Sequence, residues 1–326
     1  MSSGRLQNVH TAYFGKIPGR GDFVKNASHP QLIASLDEWV AQAMQEIAKD
    51  PHWQGIYDAL RPLRFSFLGS RSKLAIAGYL YPSHDQSGRR FPFLSATSLN
   101  VPNSTEFISR SPMAFSRMWN TMERNTANLV ASEDPTEVLQ IFDAMQGTID
   151  ADADDGFDAF LDLQTIERVT SMLRKDEHDI IFHDLVIALG LLLHPLMNSG
   201  ASHAARGLLL PLPDDPLYMN LVAAYWLNLA FPFLARGDFE IAIFIGSIMG
   251  KSRLAIGLRG ANSEELAGLM STPLALEEQF LVMDDSSWIN AHLHDSGRAK
   301  LSSYLQQPGL SLRTARDTFY EVFLGA

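Results

Sequence analysis

The chain is organised around Tyr13-Phe14-Gly15-Lys16-Ile17-Pro18-Gly19-Arg20-Gly21-Asp22-Phe23, a turn-rich stretch near its N-terminus. Aromatic residues bracket a core of glycine, proline and charged residues. Because glycine adopts backbone angles that other residues resist and proline fixes φ, we expect a loop whose shape is set by its backbone. A second segment, Asp85-Gln86-Ser87-Gly88-Arg89-Arg90-Phe91-Pro92-Phe93, has the same chemistry. We call residues 15–23 and 85–92 the two loop motifs, and interpret the N-terminal half as a scaffold that presents them.

The charged residues of the loop motifs allow three interpretations. The cations are Lys16, Arg20, Arg89 and Arg90, and the possible ion partners are Asp22 and Asp85. Paired arginine and aspartate side chains most often hold geometry, so the favoured interpretation is that the loops pack on each other. A partner-binding surface is the second, because arginine and aromatic residues are enriched in binding hot spots. Catalysis is the least favoured, since no candidate base or nucleophile accompanies the cations.

The composition is that of a globular protein. The chain has 326 residues, of which 46% are hydrophobic and 19% are charged, with room for two domains. It contains no cysteine, which excludes disulfides, thiolate metal sites and a cysteine nucleophile, and is consistent with a reducing compartment.

Charge is distributed unevenly along the chain. Residues 1–148 contain 14 Lys and Arg against 13 Asp and Glu, whereas residues 149–326 contain 12 against 24. The acidic half argues against a nucleic acid or an anionic membrane as a partner. The excess of acidic residues either keeps the protein soluble or forms a surface that binds a basic partner.

The sequence predicts a cytosolic protein. Residues 1–8 lack the apolar core of a signal peptide. The longest apolar stretches are residues 186–193 and 221–235. The first is short and the second is interrupted by Asn228 and Pro232, so neither reaches the roughly 18 uninterrupted apolar residues of a membrane span. We expect both to be buried helices.

The spacing of apolar residues divides the chain into helices and strands. It predicts helices at residues 29–49, 53–60, 111–132 and 135–147, and strands at 63–68, 74–81 and 93–99. In the second half it predicts helices at residues 157–175, 217–235, 263–270 and 312–324, and a hairpin of 239–247 with 253–259.

The predicted fold class is mixed α/β of the α+β type. We expect an N-terminal antiparallel sheet flanked by helices, plus a helix-rich C-terminal domain with a short β-hairpin. The acidic segment 148–156 is the sharpest change in composition and marks the predicted boundary between domains 1–148 and 149–326.

Three further patterns resemble ligand sites. Residues 246–252 resemble a phosphate loop, but the glycine spacing is one residue short and a strand follows, so we interpret them as a hairpin turn. Residues 150–158 resemble a calcium loop without its required glycine and glutamate, so we interpret them as an acidic linker. His292 and His294 stand near Asp284 and Asp285, but nothing supplies a matching ligand cluster, so an exposed loop is favoured over a metal site.

The two loop motifs, in order and with a Trp39 helix between them, resemble the TagF (also called ImpM) family of type VI secretion accessory proteins. Members of that family open with Gly-Lys-Leu-Pro-x-Arg-Gly-Asp-Phe and later carry Asp-x-x-Gly-Arg-x-Phe-Pro. Here Ile17 replaces the leucine and Gly19 fills the variable position. The resemblance covers about the first 140 residues, and the second half looks like the more variable C-terminal part of such proteins.

The resemblance implies a cytosolic protein that is not an enzyme and has no cofactor, metal or catalytic residues. It implies a post-translational negative regulator of type VI secretion that binds a forkhead-associated-domain scaffold, with no nucleic acid and no membrane insertion. The family-motif and possible partner-binding residues are Gly15, Lys16, Pro18, Arg20, Gly21, Asp22, Phe23, Asp85, Gly88, Arg89, Arg90, Phe91 and Pro92. Some relatives are fused to a protein phosphatase, but this chain shows no phosphatase acidic motif, so that activity is not carried over.

Two alternative functions stay open. One is a metal-dependent hydrolase that uses the region of Asp284, His292 and His294. The other is a structural assembly component built into the secretion machine.

Overall fold

The computed structural model of the protein describes residues 6–26, 29–69, 72–101, 104–150, 156–173, 182–198, 204–237, 239–283 and 287–325. Its strands are β1 (Leu6–His10), β2 (Ala12–Gly15), β3 (Val24–Lys25), β4 (Leu63–Gly69), β5 (Leu74–Tyr81), β6 (Phe93–Asn100), β7 (Gln146–Asp150), β8 (Gly207–Pro211), β9 (Glu240–Ile248), β10 (Lys251–Gly257) and β11 (Phe280–Val282).

Its helices are α1 (Pro30–Ile47), α2 (Trp53–Asp58), α3 (Ser104–Ala114), α4 (Ser116–Ala131), α5 (Thr136–Asp143), α6 (Phe157–Leu163), α7 (Ile166–Leu173), α8 (Phe182–Leu193), α9 (Pro216–Leu234), α10 (Ser263–Leu269), α11 (Pro273–Gln279), α12 (Ser296–Leu305) and α13 (Leu312–Leu324). Short 3₁₀ turns lie at His194–Asn198, Ala235–Gly237 and Ser287–His292. The mixed α/β fold class is confirmed.

Strands from both halves of the chain form one sheet. Within the described ranges it has nine strands, in the order β11-β8-β10-β9-β4-β5-β6-β2-β3. Neighbouring strands are antiparallel except for β11 and β8, which are parallel. β1 and β7 form a separate antiparallel ribbon. The predicted hairpin of β9 and β10 is present, and it extends the N-terminal sheet instead of standing apart.

The two parts of the sheet join where β4 pairs with β9. The register runs from Leu63 opposite Gly246 to Gly69 opposite Glu240. Both strands are largely buried, as expected for central strands that helices cover on both faces. The division of the chain at residue 148 stays a prediction, although it falls within β7 and the sheet includes strands from either side of it.

Helices cover both faces of the sheet. α1, α2, α10 and α11 lie on one face, where the buried side chains include Trp39, Phe65 and Phe244. α3, α4 and α9 lie on the opposite face, against sheet residues such as Tyr79 and Ile243. α6, α8 and α13 contact α9 and thicken that layer. The result is a three-layer arrangement with the sheet in the middle.

Helix α1 forms where the apolar spacing predicts it. Pro30 lies in the first turn of the helix. Proline has no backbone N–H, but the N–H groups of the first turn have no acceptor within the helix, so no hydrogen bond is lost. The buried side chains recur every three or four residues, at Ile33, Leu36, Trp39, Val40, Ala43, Met44 and Ile47. The Trp39 indole Nε1 donates to Asn262 O at 3.2 Å, which ties α1 to the start of α10 in the second half.

Helix α9 is buried, as the sequence predicts for residues 221–235. By length and composition it could cross a membrane, but 67% of its apolar window lies inside the protein. Asp215 caps it by accepting a hydrogen bond from Leu217 N at 2.9 Å. Trp226 Nε1 donates to Pro211 O at 3.0 Å, so its one polar group is satisfied within the core.

Several elements differ from the predicted ones. The predicted helix 111–132 is the end of α3 followed by α4, and it begins earlier, at Ser104. The predicted helix 135–147 ends at Asp143 and gives way to β7, because Gln146–Asp150 pairs with β1. The sequence did not predict β1, β2 or β3. These strands are short, so apolar and polar residues have little room to alternate, and β1 and β2 pair with strands that are distant in the chain.

Candidate functional site

The two loop motifs meet because the strands that carry them are neighbours. β2 ends at Gly15 and β6 begins at Phe93, and these residues lie opposite each other in the antiparallel pairing. Gly15 has a φ of +133°, and a Cβ there would lie 2.2 Å from the carbonyl oxygen of Pro92. Only glycine fits this crossing, so the first loop motif leaves the sheet directly against the second.

Asp85 is the centre of the contact between the loops, and its side chain is fully buried. Its Oδ1 accepts hydrogen bonds from Ser87 Oγ at 2.7 Å and from the backbone N–H groups of Ser87 and Arg89 at 3.0 Å. Its Oδ2 accepts from Arg89 Nε at 2.7 Å and lies 3.0 Å from Lys16 Nζ. We call Lys16, Asp85, Ser87 and Arg89 the Asp85 clamp.

The clamp holds Asp85 in its charged form. Burial by itself raises the pKa of an aspartate. Here the hydrogen bonds from Ser87, Arg89 and Lys16 outweigh burial and hold the pKa of Asp85 well below its ordinary value. Because all of these donors belong to the two loop motifs, the buried charge is neutralised locally and fastens one loop to the other.

Further hydrogen bonds fix the first loop motif on both of its sides. The Arg89 guanidinium donates to Gly21 O at 2.8 Å, and Gln86 N donates to Arg20 O at 2.9 Å. The Arg20 guanidinium donates to Thr136 Oγ1 at 2.7 Å. The loop is therefore attached to the second loop motif and to the start of α5.

Arg90 points away from the clamp and pairs with Asp58 in α2. Its Nε lies 2.7 Å from Oδ1, and its terminal nitrogen lies 2.6 Å from Oδ2. These hydrogen bonds lower the pKa of Asp58 and raise the pKa of Arg90. The sequence indicates Asp22 and Asp85 as possible ion partners and gives no sign of Asp58, which lies on a different element. Asp22 instead accepts a hydrogen bond from Phe23 N at 2.8 Å, as in a tight turn.

Aromatic rings close the gap between the loops. The ring of Phe91 lies edge-on to Phe23, with 5.0 Å between centroids, and 6.2 Å from the ring of Phe14. The Lys16 ammonium lies 5.1 Å from the centroid of the Phe23 ring. Gly88, with a φ of +80°, makes the turn of the second loop motif.

Exposure divides the predicted site residues into three groups. Gly15, Lys16, Asp85 and Pro92 are buried, Pro18, Arg20, Arg90 and Phe91 are half-buried, and Gly21, Asp22, Phe23, Gly88 and Arg89 are exposed. The buried members hold the two loops together. The exposed members, which we call the motif rim, are accessible to a partner.

A groove of about 570 Å³ opens beside the motif rim. Its lining residues are Phe14, Phe23, Val24, Lys25, Asn26, Pro30, Ile33, Ala34 and Asp37. It lies between β3 and the first turns of α1, so one wall is the last strand of the sheet and the other is a helix. Sequence reasoning missed Lys25 and Asp37 here, because a two-residue strand gives no signal that it forms the edge of a sheet.

The proposed histidine and aspartate site is not assembled in the described part of the chain. Asp284 and Asp285 lie outside the described residues. His292 and His294 are exposed, and among the described residues no group of three His, Cys, Asp or Glu could hold a metal ion. Asp295 caps α12.

The segment that resembles a phosphate loop is a hairpin turn. Ile248 pairs with Lys251 across Met249 and Gly250, whose φ angles are +55° and +73°. A strand, β10, follows this turn, whereas a phosphate loop leads into a helix. Of the segment that resembles a calcium loop, residues 151–155 lie outside the described residues.

Comparisons with known proteins place the loop motifs in one family domain. Residues 12–145 match the family model of the TagF N-terminal domain, described as type VI secretion system-associated. No curated protein matches the chain significantly. Solved structures that match include the crystal structure of PA0076 from Pseudomonas aeruginosa PAO1, which is 14% identical, has a TM-score of 0.45, and is matched over 80% of this chain and 94% of that chain.

Proposed function

Residues 12–145 form a TagF N-terminal domain, which makes the chain a type VI secretion-associated protein of the TagF family, and on this premise we propose that it is a negative regulator of that system. It acts after translation by binding a scaffold protein with a forkhead-associated domain, and so limits assembly of the secretion machine. It works in the cytoplasm and is not an enzyme. The observation that carries the proposal is the family match, which spans both loop motifs.

The chemistry of the Asp85 clamp supports binding over catalysis. A general base needs an accessible atom that can take a proton and a pKa near the working pH. Asp85 is buried, both of its oxygens have donors, and its pKa is held below its ordinary value. Its role is therefore to hold the motif rim in position.

The motif rim has the side chains that protein partners recognise. Phe23 is 47% exposed although it is a large aromatic residue, and the Arg89 side chain is 62% exposed. Aromatic and arginine side chains dominate binding hot spots. Because the clamp already fixes this loop, binding does not have to order it, which favours affinity.

The acidic second half favours a partner with a basic surface nearby. Residues 149–326 contain 24 Asp and Glu against 12 Lys and Arg. Complementary charge accelerates association more than it increases affinity. We expect association with the scaffold to slow as salt concentration rises.

Co-purification tests the proposed partner. The tagged protein is captured from cells that express the secretion system, and the forkhead-associated scaffold is sought by mass spectrometry. We expect the scaffold to be recovered and to dissociate on extended washing. Its absence contradicts the proposal. Recovery of the whole machine in fixed stoichiometry would instead identify an assembly component.

A secretion assay tests the direction of the effect. We expect deletion of the gene to increase secretion of the system's substrates, while the cellular levels of the machine's components stay unchanged. Overproduction is expected to decrease secretion. Loss of secretion on deletion would show a required component and would contradict a negative regulator.

A further inference from the structure

The last strand of the sheet, β3, leaves an edge without a partner strand in the described part of the chain. Among the described strands it pairs with β2 alone, with Val24 opposite Gly15 and Lys25 opposite Phe14. The first loop motif leads directly into this strand. The Asp85 clamp therefore also positions the edge of the sheet.

The direction of the hydrogen bonds shows which backbone groups face outward. Asn26 N donates to Tyr13 O at 3.2 Å, so the backbone of Asn26 faces β2. In an extended strand, successive residues direct their N–H and C=O groups to opposite sides. Val24 therefore faces β2 as Asn26 does, and the N–H and C=O of Lys25 point away from the sheet.

The groove beside this edge is suited to side chains of an added strand. Phe14 and Ile33 form buried parts of its wall, and Phe23 stands half-exposed at one end. Pockets for alternate side chains beside a free edge are the feature by which proteins select an extended peptide. A partner strand on β3 would place an apolar side chain into this groove.

Charge specifies a second property of the partner. Lys25 is exposed, and no ion pair involves it within the described ranges. Its side chain lies on the same face of the sheet as Phe14, because the two residues are directly opposite. Asp37 lines the same groove from α1. A carboxylate on the added strand would therefore lie at the β3 edge, against the Lys25 ammonium and away from the α1 wall.

We propose that the partner binds as an added strand on β3, through an extended segment that places an apolar side chain in the groove and an acidic side chain against Lys25. This inference rests on the proposed function and names the contact it uses. Short edge strands with a lysine resist indiscriminate pairing. Here that lysine also selects an acidic segment over a neutral one.

Titration of the purified forkhead-associated scaffold with matched variants tests the inference. Lys25→Glu reverses the charge, and Lys25→Pro removes the outward N–H without touching a bond to β2. Arg124 is an exposed residue of α4, which lies on the opposite face of the sheet, so Arg124→Glu makes the same charge change away from the groove. We expect both Lys25 variants to weaken binding at least about tenfold and the Arg124 variant to bind like wild type.

The outcomes separate the inference from the function on which it rests. If wild type binds and both Lys25 variants bind equally well, the edge is not the contact and the regulator proposal survives. If Lys25→Glu weakens binding and a folded Lys25→Pro does not, strand addition is wrong. If wild type itself fails to bind, the proposed function falls and the inference falls with it. Melting temperatures show which variants are folded, and Lys25→Glu carries the test if Lys25→Pro is not.

Discussion

Asp85 and Glu265 are both buried carboxylates, and their surroundings shift them in opposite directions. Asp85 receives donors on both oxygens, and its pKa is lowered. Glu265 lies in α10, where burial raises its pKa more than the nearby Arg259 lowers it. Its Oε1 has partners, while Oε2 has no hydrogen bond among the described residues. The number of hydrogen-bond donors therefore decides that the charged carboxylate stabilises the fold at Asp85 and not at Glu265.

This contrast predicts opposite pH dependence for two variants. A carboxyl with a lowered pKa contributes stability that is present above its ordinary pKa of about 4 and is lost as pH falls below it. The melting temperature of Asp85→Asn should therefore lie several degrees below wild type at neutral pH, with the gap narrowing under acid. The pKa of Glu265 is raised, so the pH dependence of its contribution to stability has the opposite sign. Wild type should lose stability relative to Glu265→Gln as pH rises above about 4. Thermal melts from about pH 3 to pH 8 check both. A constant gap for Asp85→Asn would contradict the clamp.

Gly15 gives a second prediction at the same scale. Gly15→Ala must place a Cβ against Pro92 O at a positive φ, so we expect a loss of about 3 kcal/mol of unfolding free energy. Gly55→Ala is the matched control, because Gly55 lies in α2 with open space around it. Alanine there should gain about 0.5–1 kcal/mol. Urea unfolding measures both, and equal effects would show that the crossing of β2 and β6 does not require glycine.

Some of these residues could be predicted from the sequence and others could not. Glycine, proline and paired charges identified both loop motifs, because such residues have few uses other than tight turns and ion pairs. The partner of Arg90 was not predictable, since Asp58 lies 32 residues away on a different element. Lys25 was not predictable either, because its importance depends on which strand ends the sheet.

Helix α1 links the two halves of the protein in addition to the pairing of β4 with β9. Trp39 lies on the join of the sheet, with ring centroids 5.4 Å from Phe65 in β4 and 6.2 Å from Phe244 in β9. Its indole also donates to Asn262. The apolar spacing predicted this helix and its buried face, because both are properties of a continuous local segment.

Removing the Trp39 side chain should destabilise the whole protein. Trp39→Ala leaves a cavity between α1 and both central strands, so we expect a loss of about 3–5 kcal/mol. Trp53→Ala is the control, because Trp53 is only half-buried on α2, and its loss should be smaller. Denaturant titration followed by circular dichroism measures both. Equal losses would contradict the central position of Trp39.

The pairing of strands could not be predicted as well as the helices. β1 and β7 pair although they are far apart in the chain. Neither strand is long enough, or alternates clearly enough between apolar and polar residues, to be predicted from the sequence. β9 does carry a signal, since Glu240–Ile248 is apolar almost throughout and such runs are typical of strands buried on both faces. That signal indicates a central strand without identifying β4 as its neighbour.

At the scale of the whole molecule, one sheet spans both halves. A protein truncated after residue 148 would lose β9 and expose the β4 edge from Leu63 to Gly69. Long, apolar, unpaired edges aggregate. We therefore expect this fragment to aggregate or to unfold at lower denaturant than the full chain. Size-exclusion chromatography and urea unfolding check this, and a monomer as stable as the full chain would show that the first half folds independently.

The loop motifs frame the surface that we propose binds the forkhead-associated scaffold. Hydrogen exchange of the full chain, measured free and saturated with the forkhead-associated scaffold, tests this placement of the surface. We expect slower exchange in the complex across residues 20–26, with the Lys25 amide among the protected sites, and unchanged exchange on α4. Protection confined to α4 or to the second half, with residues 20–26 unaffected, would contradict it.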